Sequence, residues 1–398
     1  MCGFIFYLNK KKIDFEIKKN LKKITKLIKH RGPDYEKTFL KNNIFAYHCR
    51  LSIQDLNKRS NQPFFSKDKR FMLLFNGEIY NFKKLKNKLK KKYKFITSSD
   101  TEVVLATYLI FGDKFLSKIN GMFSILIYDF KLKKIILARD PFGQKPLYYF
   151  NDNQSLIISS EIKPIQKFKK LKINKDSISS YFLNNNFANE KQTIINKILQ
   201  VKAGEVAKIN KINKISTKKY FSKDDLDLRK IKKVNFNNIL KRTVENHMIS
   251  DAKIGIAISS GLDSRSICAT LSLLKKNRKI AKAYFVNFKK YNIEKDEVIK
   301  FCKFFDIKLE IINIKPIHII KKFESSIKYN ESPLGGIMNI ALFMLCEKAR
   351  KDKIKVILGG YGLDEALGGY DILNPYMLSK NSNNLPPTLI LDPANAST

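Results

Sequence analysis

The chain has 398 residues, 44% of them hydrophobic, and a formal charge of +41 at pH 7. At about 100–200 residues per domain this length calls for two domains, and no apolar run approaches the ~20 residues that a membrane-spanning helix needs. Five scattered cysteines without a CxxC spacing, and only four histidines, argue against a disulfide framework and a zinc or histidine metal centre; they point to reduced thiols in the cytoplasm.

The N-terminus carries no signal-peptide pattern. Lysine runs evenly through the sequence beside abundant Ile and Asn, which reads as codon bias. No Arg-rich helix, aromatic-interleaved strand or zinc finger accompanies the charge, so neither nucleic acid nor membrane is expected as a partner.

Read in chain order, the first signal is Met1-Cys2-Gly3. Loss of the initiator Met leaves Cys2 with both a thiol and a free α-amine. That amine titrates at about 7.7–8.0 when unperturbed, so part of it is neutral near pH 7, and a neutral amine can take the thiol proton. Leu21, Ile24, Leu27 and Ile28 fit one face of a helix. Arg50 stands at a strand start, and the apolar run 71–75 predicts a strand leading into Asn76-Gly77-Glu78. Asn-Gly is also a preferred hairpin turn. Ser99-Asp100-Thr101-Glu102 opens a helix with a capping pattern, and Asp100 can serve there as the N-cap. Runs 123–128 and 135–137 predict further strands.

A Lys- and Asp-rich stretch then separates two halves. The boundaries expected are 2–215 for the first domain, 216–235 for a linker and 236–398 for the second domain. From residue 254 the pattern becomes strand, small-residue turn, helix. Residues 254–258 form the first strand, and Ile267, Ala269, Leu271, Leu273 and Leu274 mark the helix. Strands at 281–288 and 355–358 follow, so a parallel α/β sheet is expected.

The polar clusters of the first half supply what hydrolysis of a glutamine side chain requires. Asn76 and the Gly77 backbone N–H fit an oxyanion hole, Arg50 an α-carboxylate clamp, and Asp100 a receiver for the α-ammonium. With His30-Arg31-Gly32-Pro33-Asp34, Arg50-Leu51-Ser52 and Ala138-Arg139-Asp140-Pro141-Phe142-Gly143, these pieces stand in one order over about 160 residues. The set resembles the class II (Ntn-type) glutamine amidotransferases. The resemblance implies an αββα sandwich in which Cys2 attacks the amide, a thioester forms, ammonia leaves and water releases glutamate. It assigns glutamine binding or catalysis to Cys2, Arg50, Asn76, Gly77, Glu78 and Asp100. The run 140–149, which includes Gln144 and Lys145, is similar to the asparagine-synthetase branch, where its role is mainly structural.

In the second half, a strand, a small-residue turn and a helix start make an anion site. Asp263 inside that turn is either a helix cap or a carboxylate bridged to phosphates by a cation. Ser259-Ser260-Gly261-Leu262-Asp263-Ser264 resembles the pyrophosphate loop of the N-type ATP pyrophosphatases found in asparagine synthetases. Ser260 stands where that family has Gly, and Arg265 where it has Ser. Gly359-Gly360-Tyr361-Gly362-Leu363-Asp364-Glu365, with Gly368-Gly369-Tyr370, resembles the second ATP-site motif.

The resemblance implies ATP held by Ile258, Ser259, Ser260, Gly261, Asp263, Ser264, Val286, Gly359 and Gly360, with Ile258 and Val286 walling the adenine. It implies Mg²⁺ on Asp263 and Asp364, in keeping with that ion's use of carboxylates and phosphates. Asp296-Glu297 either matches a recurrent family pair at a helix start or complements a helix dipole. The activity implied is amidation of a carboxylate through an acyl-adenylate, aspartate to asparagine first and another carboxylate second, with a homodimer as the assembly considered. A regulatory or degraded relative that only hydrolyses glutamine or binds ligands is the alternative from another class. Tyr361 replaces an acidic residue and leaves the acceptor open. The short polar stretch 371–398 stands where relatives continue, so either the chain is truncated or its acceptor site is reduced.

Overall fold

The computed structural model describes residues 1–184, 190–212, 214–222, 235–276, 279–288, 292–333 and 336–367. The chain divides into two units, Met1–Lys233 and Val234–Thr398. The first opens with β1 (Gly3–Asn9), α1 (Phe15–Thr25), β2 (Tyr35–Lys41) and β3 (Ile44–Arg50). It continues through β4 (Phe64–Phe65), β5 (Phe71–Ile79), α2 (Phe82–Leu89), α3 (Asp100–Phe111), β6 (Gly121–Asp129) and β7 (Lys134–Arg139). After these come β8 (Tyr148–Asn151), β9 (Ser155–Ser159), α4 (Ile162–Lys169), α5 (Lys175–Asn184), β10 (Leu199–Gln200), β11 (Glu205–Lys211) and β12 (Lys214–Lys219).

Two antiparallel sheets result, in the orders β10-β8-β9-β1-β3-β2 and β12-β11-β7-β6-β5-β4. Their central strands are apolar on both faces because both faces are covered, while the edge strands β2 and β12 are polar and largely exposed. Along β1, Phe4 and Phe6 meet Met72, Leu74 and Leu126 of the facing sheet. Ile5 and Tyr7 point the other way, onto Leu21 and Ile24 of α1 and Ile162 and Ile165 of α4. On the outer side of the second sheet, α3 packs on β5 and α2 packs on α3. The layering is αββα.

Two local readings need correction. α1 stops at Thr25, so Leu27 and Ile28 follow it in a turn, with Ile28 still fully buried. The linker expected at 216–235 begins inside β12, where pairing with β11 ties 216–219 to the second sheet; residues 223–234 lie outside the described residues.

The second unit runs α6 (Phe236–His247), β13 (Ile254–Ala257), α7 (Leu262–Leu273), β14 (Ile280–Phe288), α8 (Asn292–Phe304) and β15 (Leu309–Ile314). It then adds α9 (Pro316–Asn330), α10 (Ile337–Lys351), β16 (Val356–Leu358) and α11 (Leu363–Leu367). Its sheet is parallel, in the order β15-β14-β13-β16. Val244, Ile267, Leu271 and Val298 cover one face, while Leu345 and Ala349 of α10 cover the other around Tyr284. After β13 the chain first extends the sheet to one side, then returns to add β16 on the other. That reversal opens a crevice beyond the carboxyl ends of β13 and β16. Among the described residues no helix is long and apolar enough to cross a membrane, and all five cysteines are free thiols.

Candidate functional site

Antiparallel register builds the first site. Gly3 of β1 lies opposite Cys49 of β3, so the next pair outward is Cys2 and Arg50. The facing sheet contributes Asn76, Gly77 and Glu78. They form no hairpin turn; they belong to β5, which pairs through them with Ser124, Phe123 and Met122 of β6. A Cβ at Gly77 would fall 2.2 Å from the Met122 carbonyl oxygen, so the strands can approach only with glycine there.

That same pairing leaves a donor free. The Phe123 N–H and C=O both turn to Asp140, away from β5, so the Gly77 N–H points to the opposite side of its strand. Along that side, Phe75 exchanges two hydrogen bonds with the Gln62 side chain, and the Ile79 N–H donates to Asp100 Oδ2 at 3.1 Å. Gly77 lies between them, and among the described residues nothing accepts from its N–H. The neighbouring Asn76 side chain is 1% exposed, and its Nδ2 likewise has no partner. Two uncommitted donors therefore stand side by side.

Asp100 is the first residue of α3, and its N-cap is Ser99, whose Oγ accepts from the Thr101 N–H at 3.2 Å. Glu102 closes no capping box; it accepts from the Ile96 and Thr97 N–H groups. Freed from capping, the buried Asp100 carboxylate faces the cavity. Cys2, Arg50, Asn76, Gly77, Glu78 and Asp100 all line one open pocket.

Burial raises the Asp100 carboxyl to about 6. Burial and the Asp100 charge raise Glu78 to about 7. Burial raises the Cys2 thiol, against the opposing pull of the terminal amine and Arg50. Its Sγ donates to the Leu51 carbonyl at 3.7 Å. Among the described residues no histidine lines this pocket. His48 is buried beside Phe75, pushed down to about 3 by burial and so neutral.

Arg50 differs from a simple clamp. Its Nη1 donates to Asn57 O and Asn61 Oδ1, and its Nη2 donates to Gln54 O and Asp55 O. Both terminal nitrogens hold the 54–61 loop, and among the described residues the Nε–H is the donor without a partner; a bidentate grip on a ligand requires exchange of loop bonds.

Two further side chains at this site, Arg31 and Lys145, come from motifs to which the sequence reading gave no part in the glutamine chemistry. Arg31 Nε donates to the Cys2 carbonyl at 2.9 Å and its Nη1 to Glu161 at 3.0 Å. Burial pushes the Glu161 carboxyl up, but His30, Arg31 and Lys163 outweigh it and hold the group at about 2. This cluster fixes the start of the chain. Lys145 also lines the pocket. Asp140 ties the turn before it, accepting from the N–H groups of Phe142, Gln144 and Lys145.

The second site gathers at the crevice of the parallel sheet. The turn after β13 is knotted by Ser264, whose Oγ accepts from the Ser259 N–H at 3.0 Å and contacts Ser259 Oγ at 3.2 Å. Gly261 caps α7 without a side-chain hydrogen bond, so N–H groups at that helix start remain available to an anion. Ser260 has no positive φ, and its side chain therefore costs the loop no strain. Its N–H reaches Glu294 at 3.4 Å.

The turn after β16 meets this loop directly. A Cβ on Gly360 would fall 2.7 Å from the Cβ of Asp263. Asp364 donates its backbone N–H to the Asp263 side chain, and burial with the Asp364 charge raises the Asp263 carboxyl. Two half-buried carboxylates this close repel. Among the described residues no third acid, Cys or His completes a cage. This donor set fits Mg²⁺, which commonly takes one or two carboxylates and completes its shell with phosphates and waters.

Two expectations are corrected here, and a third lies beyond what is described. Ile258 is packed in the core with Ile256 and Ile267, whereas Val286 packs on the Tyr284 cluster; they do not form one wall. Asp296 and Glu297 lie beyond the first turn of α8, where Glu294 is the acidic residue, and Glu297 pairs with Arg265 at 3.7 Å. The Gly368-Gly369-Tyr370 landmark lies outside the described residues.

Comparison with known proteins agrees with this division. A family model described as a glutamine amidotransferase domain matches residues 1–221, and one described as asparagine synthase matches residues 235–397. The chain is 30% identical to glutamine-hydrolysing asparagine synthetase 1 of Bacillus subtilis (strain 168), over 98% of this chain and 62% of that protein. It is 31% identical to a putative glutamine-hydrolysing asparagine synthetase 2 of Methanocaldococcus jannaschii, over 89% of this chain and 73% of that one. It is 26% identical to amidase chry2 of Gibberella zeae, over 90% and 56%. The chain thus spans less than two thirds of the Bacillus and Gibberella proteins. With both family models matched in order, the chain belongs to the glutamine-hydrolysing asparagine synthetase family.

Proposed function

We propose that the chain hydrolyses glutamine at Cys2 and, with ATP and Mg²⁺, spends the ammonia on converting a carboxylate to an amide, aspartate being that acceptor. The observation that carries the reading is the pair of uncommitted donors, Asn76 Nδ2 and Gly77 N–H, in the pocket that Cys2 lines.

With Met1 removed, the Cys2 amine takes the thiol proton and Sγ attacks the side-chain amide carbon of glutamine. The developing oxyanion accepts hydrogen bonds from Asn76 and Gly77. The protonated amine then returns its proton to the departing nitrogen. Water attacks the thioester and glutamate leaves. Asp100 and Glu78 receive the substrate α-ammonium, and the Arg50 Nε–H, backed by its positive charge, receives the α-carboxylate.

In the second unit, Ser259, Ser260 and Gly261 shape the turn through their own hydrogen bonds, the N–H groups at the start of α7 would receive phosphates, and Asp263 and Asp364 would hold Mg²⁺. Gly359 and Gly360 let the backbone come close to the nucleotide. Mg-ATP, when bound, supplies the activation of the acceptor carboxylate.

The test measures glutamate, AMP and asparagine together. Cys2→Ala should end glutamate release and leave ammonia-dependent asparagine formation intact. Glutamate release by that variant at the wild-type rate removes Cys2 as nucleophile. A second acceptor is favoured by Tyr361, exposed at the turn after β16, and by the likeness to a protein named as an amidase. Pyrophosphate release driven by another carboxylate and not by aspartate would select that reading, with the glutaminase assignment unaffected.

A further inference from the structure

The glutamine pocket contains a cation that the chemistry above does not use. Lys145 is 7% exposed, and its Nζ donates to Met1 Sδ at 3.2 Å. A thioether is a weak acceptor, and among the described residues no carboxylate pairs directly with this ammonium, which burial disfavours and the Glu78 charge favours. The residue cannot easily withdraw. Asp140 Oδ2 accepts its N–H at 2.9 Å, and Arg139 Nε donates to its carbonyl at 2.9 Å. A buried ammonium is costly unless something nearby makes use of it.

The feature beside it is the chain's own start. Arg31 approaches from another element, with Nε on the Cys2 carbonyl and Nη2 3.9 Å from Met1 Sδ, while Glu161 holds its Nη1. The other titratable groups facing this corner are the Cys2 and Cys49 thiols, Arg50 from β3, Glu78 from β5, Asp100 from α3 and Asp140 beyond β7. Cys49 stays a neutral thiol, pushed up to about 12 by burial. Burial, with the Arg31 and Lys145 charges, lowers the terminal amine to about 5 while Met1 is in place. Removal of Met1 moves that amine one residue inward, onto Cys2.

We propose that Lys145 is a positioning residue for glutamine hydrolysis: its ammonium, anchored beside the N-terminus, disfavours protonation of the Cys2 α-amine and keeps it ready to accept the thiol proton. The inference rests on the reading of Cys2 as nucleophile. The proton moves from Sγ to the amine and on to the departing nitrogen, and no other reactant is consumed. Lys145 also makes the transient ammonium a better acid, which favours the second transfer.

The experiment uses the full chain with Cys2 as its first residue, checked by intact mass. The pH profile of kcat/KM for glutamine hydrolysis is recorded for wild type, Lys145→Met, Lys145→Gln and Lys145→Arg, with thermal melting as a check on folding. The neutral variants should move the acid limb upward by about one pH unit, because a like charge has been removed from the base. Lys145→Arg should restore the limb, and KM on the alkaline plateau should not change. An unmoved limb overturns the inference. If KM rises instead, Lys145 grips the substrate carboxylate and the inference falls in favour of that role. Should neither neutral variant fold, the wild type decides: an acid limb at or above the unperturbed amine range of about 7.7–8.0 overturns the proposal, and one clearly below it supports it. Wild type without Cys2-dependent hydrolysis would defeat the nucleophile reading itself, a different outcome from any of these.

Discussion

The pocket that Cys2 lines takes its groups from strands of two facing sheets and from a helix start; three are buried, Asn76 at 1% and Arg50 and Asp100 at 5% exposure each, and Cys2, Gly77 and Glu78 are half-buried. At the nucleotide site the groups lie on two turns at strand ends, where Asp263 and Asp364 are half-buried and Gly261 and Gly362 exposed. The difference follows from what each site must do. A nucleophile needs donors and bases held in place before substrate arrives, with water kept away so that their fields are strong. A phosphate-binding turn needs accessible N–H groups and carboxylates, and the ligand and its cation bring the missing charge. Burial therefore tunes the first site, while the second is completed by what it binds.

The largest effect that would sharpen this contrast is on the oxyanion donors. Asn76→Ala should lower kcat for glutamate release by about 10²–10³, with Mg-ATP affinity unchanged. A parallel loss of nucleotide binding would show that the variant damages the chain as a whole and would break the contrast.

Asp100 tests the burial side of the comparison. Its carboxyl is raised from 3.8 to about 6 by burial, so the folded chain binds this proton more tightly than the unfolded one. The stability associated with that proton is present below pH 3.8 and is lost as pH rises to about 6. At ~1.4 kcal/mol per unit, ionising Asp100 costs the fold about 3 kcal/mol at neutral pH. Asp100→Asn keeps an acceptor for the Ile79 N–H and removes the charge. Calorimetry should show a higher Tm at pH 7.5, little change near pH 3.5, and loss of glutamine hydrolysis. A lower Tm at pH 7.5 would mean that the hydrogen bonds to the carboxylate outweigh its burial.

How the two sites could be read from the sequence follows the same division. The nucleotide turns are local: a strand, a small-residue run and a helix start are adjacent in the chain, so their meeting needs only the pairing of β13 with β16. The glutamine site depends on distant register. Asn76-Gly77 favours a hairpin turn locally, and the pairing of β5 with β6 overrides that preference. Lys145 carries no local sign that it lines the pocket with Cys2, because the run that holds it reads as a turn tied by Asp140. In the helix after β13 the residues named apolar included Leu273, which is 71% exposed, while Cys268 and Ser264 are buried; a small thiol and a hydroxyl suit an interior next to a turn they help to tie. β15 gave no clear signal because Glu310 and Asn313 interrupt its apolar run. Glu310 is retained by ion pairs with Lys282 and Lys348, neighbours invisible in one dimension.

A moderate effect is expected at the second site. Asp263→Asn removes one of two adjacent carboxylates, so the loss should appear only when a cation bridges them to phosphate. Calorimetric titration should give at least about tenfold weaker nucleotide binding with Mg²⁺ and an unchanged constant in EDTA. Equal loss in both conditions would reduce Asp263 to a structural residue at the start of α7, and the second site would then share the first one's dependence on preformed contacts.

The smallest effect concerns Arg265, which adds a positive charge one residue beyond the phosphate turn. The structure directs its guanidinium to Glu297 at 3.7 Å, with the two side chains 37% and 50% exposed. Exposed pairs of this kind contribute about 0–1 kcal/mol, and 1 M salt shortens the screening length to ~3 Å, which removes most of that. Arg265→Ser should therefore lower stability by no more than about 1 kcal/mol at low salt and by nothing measurable at 1 M. Because Glu297 already occupies the charge, Mg-ATP affinity should fall by a few-fold at most. A tenfold loss of affinity at low salt that vanishes at high salt would show the guanidinium leaving Glu297 for the phosphates, and would make Arg265 a functional part of the loop. That result would also narrow the difference between the two sites, since the nucleotide turn would then carry a preplaced charge of its own.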